Sequence, residues 1–130
     1  EHGRTLLHRK YRFLGYAYAG PYHTRPAYRY TVEDTIYIDA AARRRGVGRA
    51  LLAALIARCE EAGCRQMMAL ITGVDGSASA ALHEKMGFRT MGAAKAVGFK
   101  HGAWRDVVYM QRALGPGGDA VPDRPAPGKI

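Results

Sequence analysis

The sequence predicts a mixed α/β sheet with flanking helices, folded as one domain. Three observations predict it: two early runs rich in β-branched and aromatic residues, a glycine-rich turn opening an amphipathic helix, and two more strand-like runs after a second helix. A chain of 130 residues is long enough for one hydrophobic core and too short for two comfortable ones.

Residues 14 to 20 alternate in size and end at Gly20-Pro21, which reads as a strand closed by a turn. Tyr16 and Tyr18, two apart on that strand, are expected to share one face and pack. A polar, aromatic loop follows from 22 to 29. From Tyr30 to Ile38 the residues favour a second strand, interrupted by Glu33-Asp34; an acidic pair inside a strand predicts a bulge or a functional site.

Apolar residues at Leu51, Leu52, Leu55, Ile56 and Cys59 have the spacing of one helical face, so a helix is expected from Gly46 to Ala62, stopping at Gly63. Met67 to Ile71 reads as a buried strand and Thr72 to Ser77 as a loop. A second helix is expected over Ser79 to Met86, then strands near Phe88 to Val97 and Arg105 to Arg112, with Trp104 in the core. Residues 115 to 130 hold four glycines, four prolines and no aromatic residue, a composition that predicts a disordered tail. Residues 1 to 13 look basic and irregular.

No apolar run approaches the roughly 20 residues that span a bilayer. The N-terminal Glu1, His2, Gly3 and Arg4 lack a basic-then-apolar signal pattern, so a cytoplasmic protein is expected. Cys59 and Cys64 are too few for a disulfide framework and lack zinc spacing; both are expected to pack in the core, and no metal is expected.

The formal charge of +9 raises the question of nucleic acid, but seven of the 20 basic residues fall in two stretches: Arg9, Lys10 and Arg12, then Arg43, Arg44, Arg45 and Arg49. The second surrounds a glycine-rich turn, which suits a compact polyanion. A strand, then Arg43-x-x-Gly46-x-Gly48, then an amphipathic helix is a device for holding phosphate: glycines admit the ligand to the backbone, N–H groups converge, and the helix dipole adds positive potential. The motif is not a Walker loop and lacks the third glycine of a dinucleotide fingerprint. Alone it is also compatible with a plain tight turn.

In this context the motif resembles the Gln/Arg-x-x-Gly-x-Gly/Ala signature of the GNAT acetyltransferase superfamily. The stretches 15 to 38, 82 to 88 and 98 to 107 resemble the phosphinothricin acetyltransferases within it. The similarity covers residues 14 to 114. It implies a GNAT-type, mostly antiparallel sheet, with residues 1 to 114 forming the acetyltransferase domain and 115 to 130 the tail.

The resemblance also implies a site. The backbone of Ile36, Tyr37 and Ile38 would pair with the pantetheine arm of acetyl-CoA, and Arg43, Arg44, Arg45, Gly46, Val47, Gly48 and Arg49 would wrap its pyrophosphate. Glu33 matches the family's general base. His83 stands near the coenzyme sulfur, to protonate the leaving thiolate or position the amine, and Arg25 and Tyr28 would hold a carboxylate or phosphinate of the acceptor. The expected reaction is direct transfer of acetyl from acetyl-CoA to the amine of a small amino acid analogue such as phosphinothricin or a methionine sulfone-like compound. Neither nucleic acid nor membrane is an expected partner, and a homodimer is allowed because family members commonly dimerise.

Two departures stand out. The strand, two helices and further strand that normally precede are missing, since Leu14 already falls at the third strand, so the domain is read as N-terminally truncated. Gly76 stands where relatives often carry an asparagine that contacts the coenzyme. The alternatives are an acetyltransferase for another small amine, an inactive fragment that binds coenzyme A, and a basic nucleic-acid-binding module. The last lacks interleaved aromatics and a recognition helix.

Overall fold

In the computed structural model, which describes residues 5–9, 12–72 and 76–128, eight regular elements follow one another along the chain. They are β1 (Thr5–Arg9), β2 (Arg12–Pro21), β3 (Thr31–Ile38), α1 (Val47–Ala62), β4 (Gln66–Thr72), α2 (Gly76–Lys85), β5 (Arg89–Lys100) and β6 (Ala103–Ala113). Four expectations reach outside the described residues: the unstructured start at 1 to 4, Lys10 of the first basic stretch, positions 73 to 75 of the expected loop, and the last two residues of the tail.

The strands form one sheet in the order β1-β2-β3-β4-β6-β5. Its neighbours are antiparallel except β3 and β4, which run parallel, so the expected mixed, mostly antiparallel sheet is observed. A parallel pair needs a crossover, and α1 supplies it.

Helix α1 forms where the sequence places it. Its apolar stripe of Leu51, Leu52, Leu55, Ile56 and Cys59 is buried, and Gly63 ends it in the left-handed region at φ 96°. The Cys64 N–H then donates back to the Cys59 carbonyl at 2.9 Å, closing a Schellman-type turn. A side chain at Gly63 would also strike the Arg124 guanidinium, 2.6 Å from an ideal Cβ.

One core holds the layers together. Ala17 and Ala19 of β2, Val32 of β3, Met67, Ala69 and Ile71 of β4 and Met110 of β6 meet the α1 stripe, with Leu82 of α2 packed against them. Both helices therefore cover the same sheet face. Alternation turns Tyr16, Tyr18, Glu33 and Tyr37 to the other face, where Tyr16 stacks on Tyr18 and Tyr37 with centroids 6.1 and 5.5 Å apart. Cys59 and Cys64 are buried and free, in the core as expected. No helix among the described residues is long and apolar enough to cross a membrane.

Four expectations need correction. Strand β3 is continuous through Glu33 and Asp34, in unbroken register with β2 from Pro21↔Val32 to Gly15↔Ile38; the acidic pair makes no bulge because its members alternate to opposite faces. Residues 5–9, expected to be irregular, form β1 by pairing with β2. Trp104 is 66% exposed, stacked edge-on against Phe99 on the β5–β6 hairpin, instead of in the core.

The fourth concerns the tail. Residues 115–128 have no helix or strand, yet they are held in place: the Arg65 guanidinium donates to the carbonyls of Gly117, Ala120 and Val121 at 2.8, 2.7 and 2.9 Å. The Tyr30 hydroxyl donates to the Arg124 carbonyl at 2.6 Å, and the Arg124 guanidinium donates to the carbonyls of Glu60 and Glu61 at the end of α1. Glycine and proline left the tail without a ladder, but its carbonyls are free to accept from arginine. Arg65→Ala removes three charge-assisted hydrogen bonds and is expected to cost about 1–3 kcal/mol in a urea melt. Limited proteolysis should then cut within 115–124 before the sheet.

Candidate functional site

The site begins where the sheet parts. Strands β3 and β4 pair only over Thr31↔Gln66, Val32↔Met67 and Glu33↔Met68. Beyond that, β3 stays with β2 as far as Ile38 and β4 stays with β6 as far as Thr72. Among the described residues, β4 makes no pair with β3 beyond Glu33, and Ile36, Tyr37 and Ile38 follow on that edge.

That edge leads to the head of α1. Arg44 and Gly46 both take left-handed backbone, at φ 64° and 76°, which turns the chain sharply into the helix. The first intrahelical bond is donated by Ala50 to the Gly46 carbonyl at 3.0 Å, so the amides of Val47, Gly48 and Arg49 have no partner within the helix. They meet no other acceptor among the described residues. Arg43, Arg44, Arg45 and Arg49 surround them with exposed guanidinium groups. Such a head offers converging N–H donors, a helix dipole and mobile positive charge, which together suit a diphosphate.

Gly48 sits in a crowded place. An added Cβ would lie 2.6 Å from Ile38 Cδ1 and 3.0 Å from Leu82 Cδ2, so α1, β3 and α2 converge on this backbone.

Glu33 and Asp34 have separate surroundings although they are neighbours. Glu33 is half-buried on the face without helices; burial pushes its carboxyl pKa above the ordinary value of 4.5, the Asp34 charge adds to that, and His23 partly opposes it. Asp34 is buried on the helix face, with its Oδ2 2.7 Å from His83 Nε2.

His83 is 2% exposed. Its Nδ1 lies 2.8 Å from the Ser79 carbonyl, one turn earlier in α2, and its ring meets Phe88 edge-on at 4.8 Å. Both ring nitrogens therefore face acceptors, the arrangement of a doubly protonated imidazolium. Burial lowers its pKa, but the Asp34 carboxylate and the Ser79 carbonyl more than offset this and hold it above 6.5. Neither nitrogen is free to protonate a leaving thiolate in this arrangement, so the geometry gives His83 a structural attachment in place of the expected proton donation.

Arg25 caps and Tyr28 ends a single 3-10 turn, Pro26–Tyr28, between β2 and β3, and both are exposed. Tyr28 meets His23 edge-on at 5.2 Å, and Tyr22 lies against the same imidazole at 4.0 Å and edge-on to Tyr28 at 6.2 Å. This aromatic group lies near Glu33, whose pKa His23 influences. Gly76 is the first residue of α2. Among the described residues, no three His, Cys, Asp or Glu side chains are grouped to hold a metal ion.

Comparison with known proteins accounts for this layout. Residues 2–88 match the sequence profile of the Acetyltransferase (GNAT) family. The chain belongs to the GNAT family.

A phosphinothricin N-acetyltransferase of Alcaligenes faecalis is 48% identical over 112 residues, covering 86% of this chain and 57% of that protein. An L-methionine sulfoximine/L-methionine sulfone acetyltransferase of Pseudomonas aeruginosa is 39% identical over 103 residues, covering 79% and 59% respectively. Among solved structures, a GNAT phosphinothricin acetyltransferase of Sinorhizobium meliloti in complex with acetyl-CoA superimposes with a TM-score of 0.88 at 44% identity, covering 95% of this chain and 66% of that one. This GNAT chain thus spans a little over half the length of the curated relatives it matches.

Two residues of the site escaped the sequence reading. Asp34 was visible only as half of an acidic pair, and His23 only as one polar residue in a loop.

The Asp34–His83 pair gives a stability prediction. A histidine whose native pKa is raised contributes stability that is fully present below its ordinary value of 6.5 and lost as pH rises through the native value. His83→Gln is therefore expected to cost about 3 kcal/mol near pH 6, with the deficit shrinking toward alkaline pH, as urea melts across that range will show. Gly48→Ala is expected to cost about 1–3 kcal/mol through overpacking of α1 against Ile38 and Leu82, measured in the same way.

Proposed function

We propose that this GNAT chain carries the acetyl-CoA site of an N-acetyltransferase acting on the amine of a small amino acid analogue. The observation that carries the reading is the set of amides at Val47, Gly48 and Arg49 with no acceptor among the described residues, flanked in sequence by exposed Arg43, Arg44, Arg45 and Arg49 and following the edge of β3 that leaves β4. The names of the relatives support phosphinothricin or methionine sulfoximine and sulfone as acceptors.

On this reading the coenzyme diphosphate sits at the head of α1, and its pantetheine arm pairs with Ile36 to Ile38 as an added strand. Glu33 takes a proton from the substrate ammonium, freeing the nitrogen lone pair. That nitrogen attacks the thioester carbonyl carbon, the C–S bond breaks, and a second ammonium proton ends on the departing thiolate. The raised proton affinity of Glu33 suits a base. Arg25 and Tyr28, exposed on the loop that also carries His23, would receive the acceptor's carboxylate or phosphinate on this reading. The reading assigns the positive charge to a small polyanion, with neither nucleic acid nor membrane as partner.

Turnover is measured by thiol release from acetyl-CoA with a panel of amino acid analogues. Glu33→Gln is expected to lower kcat about 10²- to 10⁴-fold. The acid limb of kcat/KM in the wild type should lie above 4.5 and vanish in the variant. Because a buried carboxylate with a raised pKa destabilises the native state once ionised, Glu33→Gln should leave Tm at pH 7 unchanged or higher. Coenzyme binding with no turnover on any amine would reduce the assignment to binding alone.

A further inference from the structure

The ladder between β3 and β4 ends at Glu33↔Met68, and the next residue of β3 is Asp34. Its buried carboxylate reaches His83, so the first contact after the sheet parts is made by α2. A second contact lies four residues on: Leu82, beside His83, packs where Ile38 and Gly48 converge. Two consecutive residues of α2 thus reach this edge, His83 by its bond to Asp34 and Leu82 beside Gly48, where Ile38 also packs.

We propose that Asp34 is a positioning residue for acyl transfer: by clamping His83, it ties α2 to β3 across the gap and sets the width of the slot that receives the thioester arm. This rests on the acetyl-CoA reading above.

The contact is made by charge and hydrogen bonds, and that matters. A buried ion pair is weak evidence for added stability, since apolar packing of equal volume serves as well. It does fix geometry. One bond from Nε2 to Asp34 and one from Nδ1 to the Ser79 carbonyl orient the ring at both ends, and the Phe88 ring closes a third side. An aliphatic side chain could slide here, whereas a ring held at 2.7 and 2.8 Å cannot. The other groups near the pair are few. Ser79 Oγ lies 3.5 Å from Nδ1, the buried Cys59 thiol of α1 senses Asp34, and Glu33 points away through the sheet.

The test uses Asp34→Asn, His83→Gln and the double variant, with coenzyme A affinity measured by calorimetry and KM for acetyl-CoA by thiol release. Each single variant should weaken coenzyme A binding about tenfold, and the double variant should be no worse than the weaker single, because one interaction has been removed. The KM for acetyl-CoA should rise more than kcat falls. Additive losses, or an Asp34→Asn protein that melts lower yet binds coenzyme A like the wild type, would overturn the proposal. If the wild type does not bind coenzyme A, the acetyl-CoA reading fails and takes this inference with it.

Nitrogen-15 NMR of the wild-type His83 ring gives a readout that needs no variant. Both ring nitrogens should stay protonated, with unchanged shifts, when coenzyme A is added. A ring that leaves Asp34 or loses a proton on binding would make His83 a participant in the chemistry, and the positioning role would be wrong.

Discussion

The structure turns on the point at which β3 and β4 stop pairing. A strand edge that leaves its neighbour exposes a row of N–H and C=O groups, and a protein must pair them, cover them or give them to water. Here β3 keeps its other edge on β2 throughout, while β4 is held by β6 along its full length. Each half of the sheet therefore keeps its own strand pairing on either side of the gap, while one core underlies both. α2 then reaches it at two places, through His83 on Asp34 and through Leu82, which packs beside Gly48 where Ile38 also lies.

The acidic pair shows how a strand separates two tasks within one step. Neighbouring residues on a strand point to opposite faces, so Glu33 and Asp34 are adjacent in sequence and isolated in environment. Asp34 is buried with a cationic partner. Glu33 stays on the accessible face, with proton affinity raised by burial and by its neighbour's charge. The carboxylate that holds the helix therefore also tunes the one that can serve as a base.

The parts legible in the sequence were those governed by local rules. Helix α1 declared itself through its apolar period and Gly63, and the phosphate-binding turn through the spacing of Arg43, Gly46 and Gly48. Strand β3 was legible too, but the acidic pair was over-read as an interruption because alternation, which makes both residues tolerable, depends on what covers each face. The Asp34–His83 contact joins residues 49 apart, and neither carries a local sign of the other. Trp104 was expected in the core as large aromatics often are, yet it sits exposed at the β5–β6 hairpin, where its ring contact is Phe99. For the tail, composition excluded a helix or strand and could not show that Arg65 would hold its carbonyls while Arg124 of the tail donates to carbonyls at the end of α1. The same blindness to long-range pairing hid β1.

On the proposed reading, the two substrates approach one strand from different directions. The carrier lies along the edge of β3, and its thioester end must reach the level of Glu33 while its diphosphate stays at α1. Glu33 and Ile36 are three residues apart, about 10 Å along an extended strand, and Ile38 adds about 7 Å more toward the helix. An arm paired with Ile36 to Ile38 is thus already aligned with its reactive end toward the base. The amine arrives over the face bearing Glu33, His23 and Tyr28, where no helix of the described residues intervenes. Helices on one side and an open face on the other allow the carrier to be gripped firmly while the acceptor exchanges freely.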